Sequence, residues 1–121
     1  MLKNKIQLPN IYPIIDISLI SSDKTGETAQ AIIDGGAKIL QLRAKKLSSW
    51  EFLETARIIR KITKDKGAIF IVNDRIDIAL LTDADGVHLG QDDLPVKEAR
   101  RLLGNNKIIG YSTHNIREAC S

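Results

Sequence analysis

Cysteine, aromatic residues and long apolar runs are all scarce in this chain. Of its 121 residues one is a cysteine, Cys120, and 4% are aromatic. A single cysteine excludes an internal disulfide framework and fits a reducing compartment. No apolar stretch approaches the length of a membrane span, and no secretory signal pattern follows the first residues. We therefore expect a cytoplasmic protein that does not enter a membrane.

A strong excess of charge of one sign is also missing. The net charge is +3 and the pI is about 9.1, with the basic residues spread along predicted helices. This balance is too mild to indicate a nucleic-acid partner, and it suits small anionic substrates. The content of 43% hydrophobic and 27% charged residues is that of an ordinary globular chain, so we expect one domain over residues 1–121.

Short apolar runs alternate with amphipathic segments along the chain. The clearest helix begins at Ser48, which forms a capping-box pattern with Glu51, and it ends near Asp65. Trp50 is assigned to the apolar side of this helix. Further helices are predicted before residues 35–36, over residues 75–81 and from Pro95, in its first turn, to residue 104. Buried strands are predicted at residues 12–16, 39–42, 68–72, 86–89 and 107–111.

Alternation of this kind predicts a parallel sheet with right-handed crossovers. Either an open doubly wound sheet or part of a (β/α)8 barrel fits the pattern. Polar residues follow four successive predicted strands, which favours the barrel, because an open sheet concentrates its ligand contacts at one switch point. No glycine-rich dinucleotide or Walker pattern follows a strand. The prediction is an α/β fold with about four βα units of a TIM barrel, a fifth strand, and a fifth helix beginning at residues 115–118.

Two carboxylates, Asp74 and Asp93, follow neighbouring predicted strands. Carboxylate oxygens together with substrate phosphates are what Mg²⁺ prefers. Both residues also lie where helix N-caps belong, because Asp74 precedes the third predicted helix and Asp93 lies two residues before Pro95. From the residues alone, a metal site and a pair of caps remain alternatives.

Three polar residues alternate with apolar ones at the end of the second strand. On an extended chain Gln41, Arg43 and Lys45 point to one side. Arginine binds a phosphate bidentately and lysine acts as a compact charge, so the trio predicts an anion site. A solvated loop is the alternative interpretation.

The two histidines allow more than one role. His88 lies within a predicted buried strand, where a hydrogen-bonded core histidine is the commoner case. His114 follows the fifth strand and is either an acid–base residue or a loop residue. Neither makes a metal-ligand spacing with Cys120, so a zinc site is not expected.

Four motifs taken in order resemble the thiamine phosphate synthase family. They are Gln41-x-Arg43-x-Lys45, then Asn73-Asp74, then residues 84–93 with the sequence ADGVHLGQDD, then Gly110-x-Ser112-x-His114. The resemblance covers about residues 10 to 119. It implies a (β/α)8 barrel that joins a hydroxymethylpyrimidine diphosphate to a thiazole phosphate and releases pyrophosphate.

The resemblance also implies a role for each matching residue. Asp74 and Asp93 would hold Mg²⁺ against the diphosphate. Arg43, Lys45 and Ser112 would be catalytic. The pyrimidine substrate and its diphosphate would be bound by five residues, Gln41, Arg43, Lys45, Asn73 and Ser112. The implied chemistry is dissociative, since pyrophosphate departs before the thiazole nitrogen attacks.

The chain departs from the family in length. A (β/α)8 barrel takes roughly 200 residues or more, so we expect an incomplete barrel that is inactive or impaired by itself. We also expect it to self-associate through exposed sheet edges. A thiazole tautomerase of the same superfamily, with His114 as catalyst, is one alternative function. A non-catalytic half-barrel that binds thiamine precursors is another.

Overall fold

A parallel sheet of five strands forms the centre of the protein. The computed structural model describes residues 12–17, 22–90 and 93–111. The strands are β1 (Ile14–Asp16), β2 (Ile39–Arg43), β3 (Ile69–Asn73), β4 (Gly86–Leu89) and β5 (Ile108–Tyr111). Each pairs in parallel with the next, so their order across the sheet is their order in the chain.

One helix connects each pair of successive strands. The helices are α1 (Thr25–Asp34), α2 (Ser49–Lys66), α3 (Ile76–Thr82) and α4 (Val96–Leu103), and a 3-10 turn, Ser22–Lys24, precedes α1. The predicted alternation of strands and helices is confirmed. The prediction for Pro95 is wrong by one position: it is the N-cap of α4 and not part of its first turn. The predicted fifth helix at residues 115–118 lies outside the described residues.

The helices cover one face of the sheet. Alternate strand residues point to this face and join the hydrophobic core, among them Ile15, Leu42, Val72 and Leu89, all fully buried. Side chains from all four helices belong to the same core, and successive helices pack against each other. The opposite face of the sheet carries the remaining strand residues, several of them polar. The fold is thus one layer of helices on one parallel sheet.

Sequential strand order distinguishes this sheet from a doubly wound one, in which the order reverses at a switch point. The predicted parallel α/β architecture is confirmed. The sheet does not close into a barrel within the described residues, where β1 and β5 are its two edges. No described helix is both long enough and apolar enough to cross a membrane.

Helix α2 has the ends that its sequence predicts. Ser48 is the N-cap, and its side chain and that of Glu51 complete a capping box. Gly67 ends the helix in the left-handed conformation, with φ of 69°. The assignment of Trp50 to the apolar side is wrong, because its side chain is 62% exposed. The buried stripe runs through Phe52 and Ala56, and a residue two positions before Phe52 lies about 200° around the helix from it.

Backbones of β4 and β5 approach closely at Gly86. A Cβ atom built on Gly86 would lie 2.2 Å from the carbonyl oxygen of Ile108, its partner in the parallel pairing. No flexible side chain can yield there, because the contact is with backbone. Gly35, at the end of α1, has a φ of −78°, and a Cβ there would meet neighbouring atoms at an ordinary 3.4 Å.

Replacing Gly86 with alanine should therefore destabilise the protein, while Gly35→Ala serves as the matched control. We expect Gly86→Ala to lower the free energy of unfolding by roughly 2–3 kcal/mol, since β5 must shift away from β4. Gly35→Ala should change it by less than about 0.5 kcal/mol. Urea unfolding monitored by circular dichroism measures both. Equal stability of the two variants would contradict the close approach.

Candidate functional site

The carboxyl ends of the strands bring polar residues to one edge of the sheet. In the parallel register Asp16 is level with Arg43, and Asn73 is level with His88. These four residues lie on the sheet face that the helices leave open. The loops that follow β2, β3 and β4 begin at this edge, so residues far apart in sequence meet there.

A lysine and two carboxylates from three different loops form the centre of the site. The ammonium of Lys45, after β2, makes an ion pair and hydrogen bond with Asp74 Oδ2, after β3. Asp93, after β4, accepts a 2.7 Å hydrogen bond from the backbone N–H of Gly90. The carboxyl groups of Asp74 and Asp93 lie close enough for each to shift the pKa of the other. The Lys45 side chain remains 53% exposed, so the cluster is accessible from solvent.

The alternative interpretation of both carboxylates as helix caps is wrong. Arg75 is the N-cap of α3 and Pro95 that of α4, and no side-chain hydrogen bond caps either helix. Asp74 has a left-handed backbone, with φ of 68°, and its N–H donates to the carbonyl of His88. This conformation is rare outside glycine, and here it turns the carboxylate toward Lys45 and Asp93.

The environment shifts the pKa values of the two carboxyl groups in opposite directions. For Asp74, burial acts to raise the pKa, but hydrogen bonds from Lys45 and Asp93 and the charges of Lys45 and Arg43 outweigh it and lower the pKa. Burial raises the pKa of Asp93; the hydrogen bond and the charge of Asp74 add to this, and the Gly90 N–H and Lys45 oppose it. Two adjacent carboxyl groups of this kind attract a cation, because Asp74 disfavours the ionisation of Asp93 and a cation would stabilise the charged form of both.

Arg43 lies beside this cluster. Its Nε atom is 3.5 Å from Asp16 Oδ2, and its side chain is 44% exposed. The guanidinium therefore has donors available for an anionic ligand at the open face. Sequence analysis did not single out Asp16. Its position as the last residue of the first strand was the available signal, because strand ends share one edge.

Gln41 and Asn73 are buried polar residues on the same face. They are 2% and 5% exposed. Asn73 Nδ2 donates to Gln41 Oε1 at 2.8 Å, and Gln41 Nε2 donates to the hydroxyl of Tyr12 at 3.1 Å. Exchanging the oxygen and nitrogen of Asn73 would place its nitrogen 3.1 Å from Asp74 Oδ2 and oblige Gln41 to turn as well. This exchange would give the Asp74 carboxylate one more donor.

Tyr12 is a site residue that sequence analysis missed. The sequence treated it only as the start of a strand, whereas its hydroxyl contacts Gln41. Burial raises the pKa of Tyr12, and the Gln41 hydrogen bond opposes this only in part. The phenol is therefore protonated at neutral pH and extends the row of polar groups formed by Gln41 and Asn73.

His88 lies on the open face and not in the core. Its pKa is lowered, chiefly by burial, and the charge of Arg43 acts in the same direction against those of Asp74 and Asp93. The imidazole is therefore neutral at pH 7. Gly110 is its neighbour on β5, and a Cβ atom at Gly110 would lie 2.7 Å from His88 Nδ1. The expectation that His88 lies in the core is wrong. Alternate residues of a strand point to opposite faces, and position 88 lies on the same face as Asn73.

Other predicted site residues cannot be placed. Ser112, His114 and Cys120 lie outside the described residues. Within residues 12–17, 22–90 and 93–111, no group of three or more His, Cys, Asp or Glu side chains is arranged as a metal site. Asp74 and Asp93 nevertheless present hard oxygen donors side by side, which fits a Mg²⁺ ion whose remaining ligands are phosphate or water oxygens.

Removing the Lys45 ammonium should raise the pKa of Asp74. We expect this in Lys45→Met, because the variant loses both the hydrogen bond and the positive charge that lower it. A lowered carboxyl pKa contributes stability at neutral pH that is lost as the pH falls through that pKa. The difference in unfolding free energy between wild type and variant should thus be largest near neutral pH. It should stay below about 1 kcal/mol, since the pair is partly exposed.

Carbon-13 NMR titration of the Asp74 carboxyl, with urea unfolding at several pH values, measures both effects. Lys46→Met is the matched control, since Lys46 is the next residue and is exposed. An unchanged Asp74 pKa in Lys45→Met would show that the ion pair does not form in solution.

Comparison with known proteins identifies relatives of this chain. A family model described as thiamine monophosphate synthase matches residues 11–121. The thiamine-phosphate synthase of Clostridium botulinum is 45% identical over 98% of this chain and 55% of its own length, and that of Shouchella clausii is 55% identical over 77% and 44%.

A solved structure leads to the same family. Thiamine phosphate pyrophosphorylase from Pyrococcus furiosus matches with a TM-score of 0.77 and 36% identity, over 99% of this chain and 56% of its own. The chain thus spans about half the length of the relatives it matches. The match of the family model to nearly the whole sequence shows that the chain belongs to the thiamine monophosphate synthase family.

Proposed function

We propose that this chain forms part of a transferase that joins 4-amino-2-methyl-5-(diphosphooxymethyl)pyrimidine to a thiazole phosphate, giving thiamine phosphate and pyrophosphate. The supporting observation is the convergence of Lys45, Asp74 and Asp93 from three separate loops. Such a cluster of carboxylates and a cation suits a diphosphate bound with a divalent metal. The names of the relatives support the same reaction.

Asp74 and Asp93 would hold Mg²⁺, which when bound supplies charge stabilisation for the departing pyrophosphate. The donor set fits, because both groups are carboxylates, and burial and the neighbouring Asp74 raise the pKa of Asp93, an effect that a divalent cation would offset. Lys45 forms an ion pair with Asp74. If the two carboxylates held Mg²⁺, the Lys45 ammonium would turn to the diphosphate oxygens.

Arg43 and Lys45 would then bind the diphosphate from one side of the site. The guanidinium can contact two phosphate oxygens at once, while the ammonium is a compact charge. Both would stabilise the negative charge that grows on the leaving pyrophosphate, and interactions that strengthen during bond cleavage lower the barrier.

Gln41 and Asn73 would orient the pyrimidine. A side-chain amide offers a donor and an acceptor, which matches the amino group and ring nitrogens of an aminopyrimidine. Their burial fixes the amide planes, so the ring is held in one orientation while the thiazole nitrogen approaches. The role of Ser112 stays a prediction from the family resemblance.

The sheet would be one part of a (β/α)8 barrel, with residues 1–121 forming a single incomplete barrel domain. Sequential strand order and a single helix layer support this, as does the similarity to the Pyrococcus furiosus enzyme over 56% of that chain. The rest of the pocket, including the thiazole phosphate subsite, would come from the remaining length found in relatives. The chain alone would then bind the pyrimidine diphosphate but would be inactive or impaired in turnover. A cytoplasmic location stays a prediction.

Two other functions would use this site differently. A thiazole tautomerase would depend on His114 and would not need the Lys45–Asp74–Asp93 cluster. A non-catalytic half-barrel would bind the pyrimidine diphosphate without turnover, even when the rest of the pocket is supplied. The paired carboxylates favour the synthase.

Asp93→Ala should weaken binding of the pyrimidine diphosphate in the presence of Mg²⁺. We expect a loss of at least about tenfold, as is usual when support for a bound metal is removed. Asp65→Ala, which removes an exposed carboxylate of α2, is the control and should bind as wild type does. Isothermal titration calorimetry with and without Mg²⁺ measures the affinity. Equal affinities of Asp93→Ala and wild type would favour the tautomerase, and full turnover by the isolated chain would contradict the incomplete pocket.

Self-association through the sheet edges is a further part of the proposal. The edge strand β1 carries Ile14, whose side chain is 52% exposed on the open face. We expect concentration-dependent association that Ile14→Lys weakens, because charge on an edge strand opposes pairing. Leu81→Lys on α3 is the control, since Leu81 is 63% exposed in the helix layer. Sedimentation and light scattering measure the mass, and a monomer at high concentration would contradict the proposal.

A further inference from the structure

Arg75 makes contacts that the proposed reaction does not use. Its Nε and Nη2 atoms donate to the two carboxylate oxygens of Asp77, at 3.0 and 2.7 Å. Nη2 also donates to the hydroxyl of Ser49 at 2.9 Å. The guanidinium carbon lies 5.6 Å from the centre of the Phe52 ring. One side chain therefore joins the start of α3 to the start of α2.

The backbone at Asp74 sends adjacent side chains in opposite directions. Asp74 is left-handed, and the N–H of Arg75 donates to the carbonyl of Asn73 at 2.9 Å in a tight turn. The Asp74 carboxylate points into the site toward Lys45. The Arg75 guanidinium points outward to α2. The turn thus makes two contacts with the residues that follow β2: Asp74 contacts Lys45, and Arg75 contacts Ser49.

Residues 44–49 lead from β2 into α2, and residues 74–75 connect β3 to α3. In the described part of the chain, two hydrogen-bonded side-chain pairs join these two segments. One is Lys45–Asp74 and the other is Ser49–Arg75. A cavity of about 150 Å³ separates the two segments. Its walls are Ala44, Lys45, Leu47, Phe52, Asn73, Asp74 and Arg75. Ala44 and Phe52 belong to the hydrophobic core, and the two polar pairs add contacts across the cavity that this packing leaves open.

We propose that Arg75 is a positioning residue that keeps the Lys45 loop in place while Lys45 leaves Asp74 to bind the diphosphate. The inference rests on the proposed function, in which that exchange occurs. When the Lys45–Asp74 pair opens, the contacts of Arg75 with Ser49 and with the Phe52 ring remain across the cavity. The loop then stays close enough for the Lys45 ammonium to reach a diphosphate that Asp74 and Asp93 would hold through Mg²⁺.

A guanidinium suits this role better than an ammonium. Arg75 binds Asp77 with two nitrogens, Ser49 with one of them, and the Phe52 ring with its flat face, all at once. Lysine keeps the charge but has neither the fork nor the plane. Asp77 holds the guanidinium in orientation, and Ser49 and Phe52 are the points on α2 that it restrains.

Trp50, the single tryptophan of the chain, reports on this contact. It lies next to Ser49 in the first turn of α2 and is 62% exposed, so its mobility follows that of the segment. The experiment compares wild type with Arg75→Gln and Arg75→Lys. Arg57→Gln, which removes an exposed arginine from the same helix, is the control. Time-resolved fluorescence anisotropy of Trp50 and calorimetric binding of Mg²⁺ with inorganic pyrophosphate are measured on each full chain.

We expect both Arg75 variants to add a fast component to the Trp50 anisotropy decay and to weaken pyrophosphate binding by about tenfold, the usual scale for residues that orient ligand groups. Arg57→Gln should change neither. A lower unfolding midpoint with unchanged anisotropy and affinity would overturn the inference, since Arg75 would then only stabilise α3. Full rescue by lysine would show that charge alone acts.

The two proposals fail in different ways. If wild type does not bind Mg²⁺ with pyrophosphate, the proposed function is refuted, and with it the part of Arg75 in ligand binding. The Trp50 anisotropy would still decide whether Arg75 restrains the loop. If wild type binds and the Arg75 variants bind equally well, only the inference about Arg75 is refuted.

Discussion

The parallel pairing of β2, β3 and β4 places three loops at one edge of the sheet, and the cluster of Lys45, Asp74 and Asp93 depends on it. Parallel strands end at the same level, so Lys45, Asp74 and Asp93 can meet although 48 positions separate the first from the last. An antiparallel arrangement would send alternate loops to opposite edges. The burial of apolar residues on the helix side fixes the register, because a slip of one residue would turn polar groups into the core.

Much of this fold can be predicted from the sequence because its signals are local. Apolar runs and the capping box at Ser48 indicate strands and helices without reference to distant residues. The site is different. That Asp74 adopts a left-handed backbone, and so acts as a partner of Lys45 instead of a cap, depends on a hydrogen bond to His88 on another strand. Tyr12 likewise joins the site through a contact with Gln41, 29 positions away, that no local pattern indicates.

Charge in the site is balanced within the protein before any ligand binds. Lys45 offsets Asp74, and Arg43 lies against Asp16, so each cation already has a carboxylate. Under the proposed function, binding of a diphosphate would exchange one set of ion pairs for another, which would reduce the desolvation cost. A cation at Asp74 and Asp93 and an anion at Arg43 and Lys45 would favour each other's binding, because each releases the partners that the other needs.

Gly110 and His88 share one small volume across β4 and β5. The missing side chain at position 110 leaves the space that the imidazole occupies, since a methyl group there would overlap Nδ1. The two positions are thus not free to vary separately: a larger residue on β5 requires a smaller or differently oriented one on β4. Any redesign of this face of the sheet would have to change the two residues together. The size of the residue at position 110 limits which side chain position 88 can carry, and therefore which polar groups it can offer.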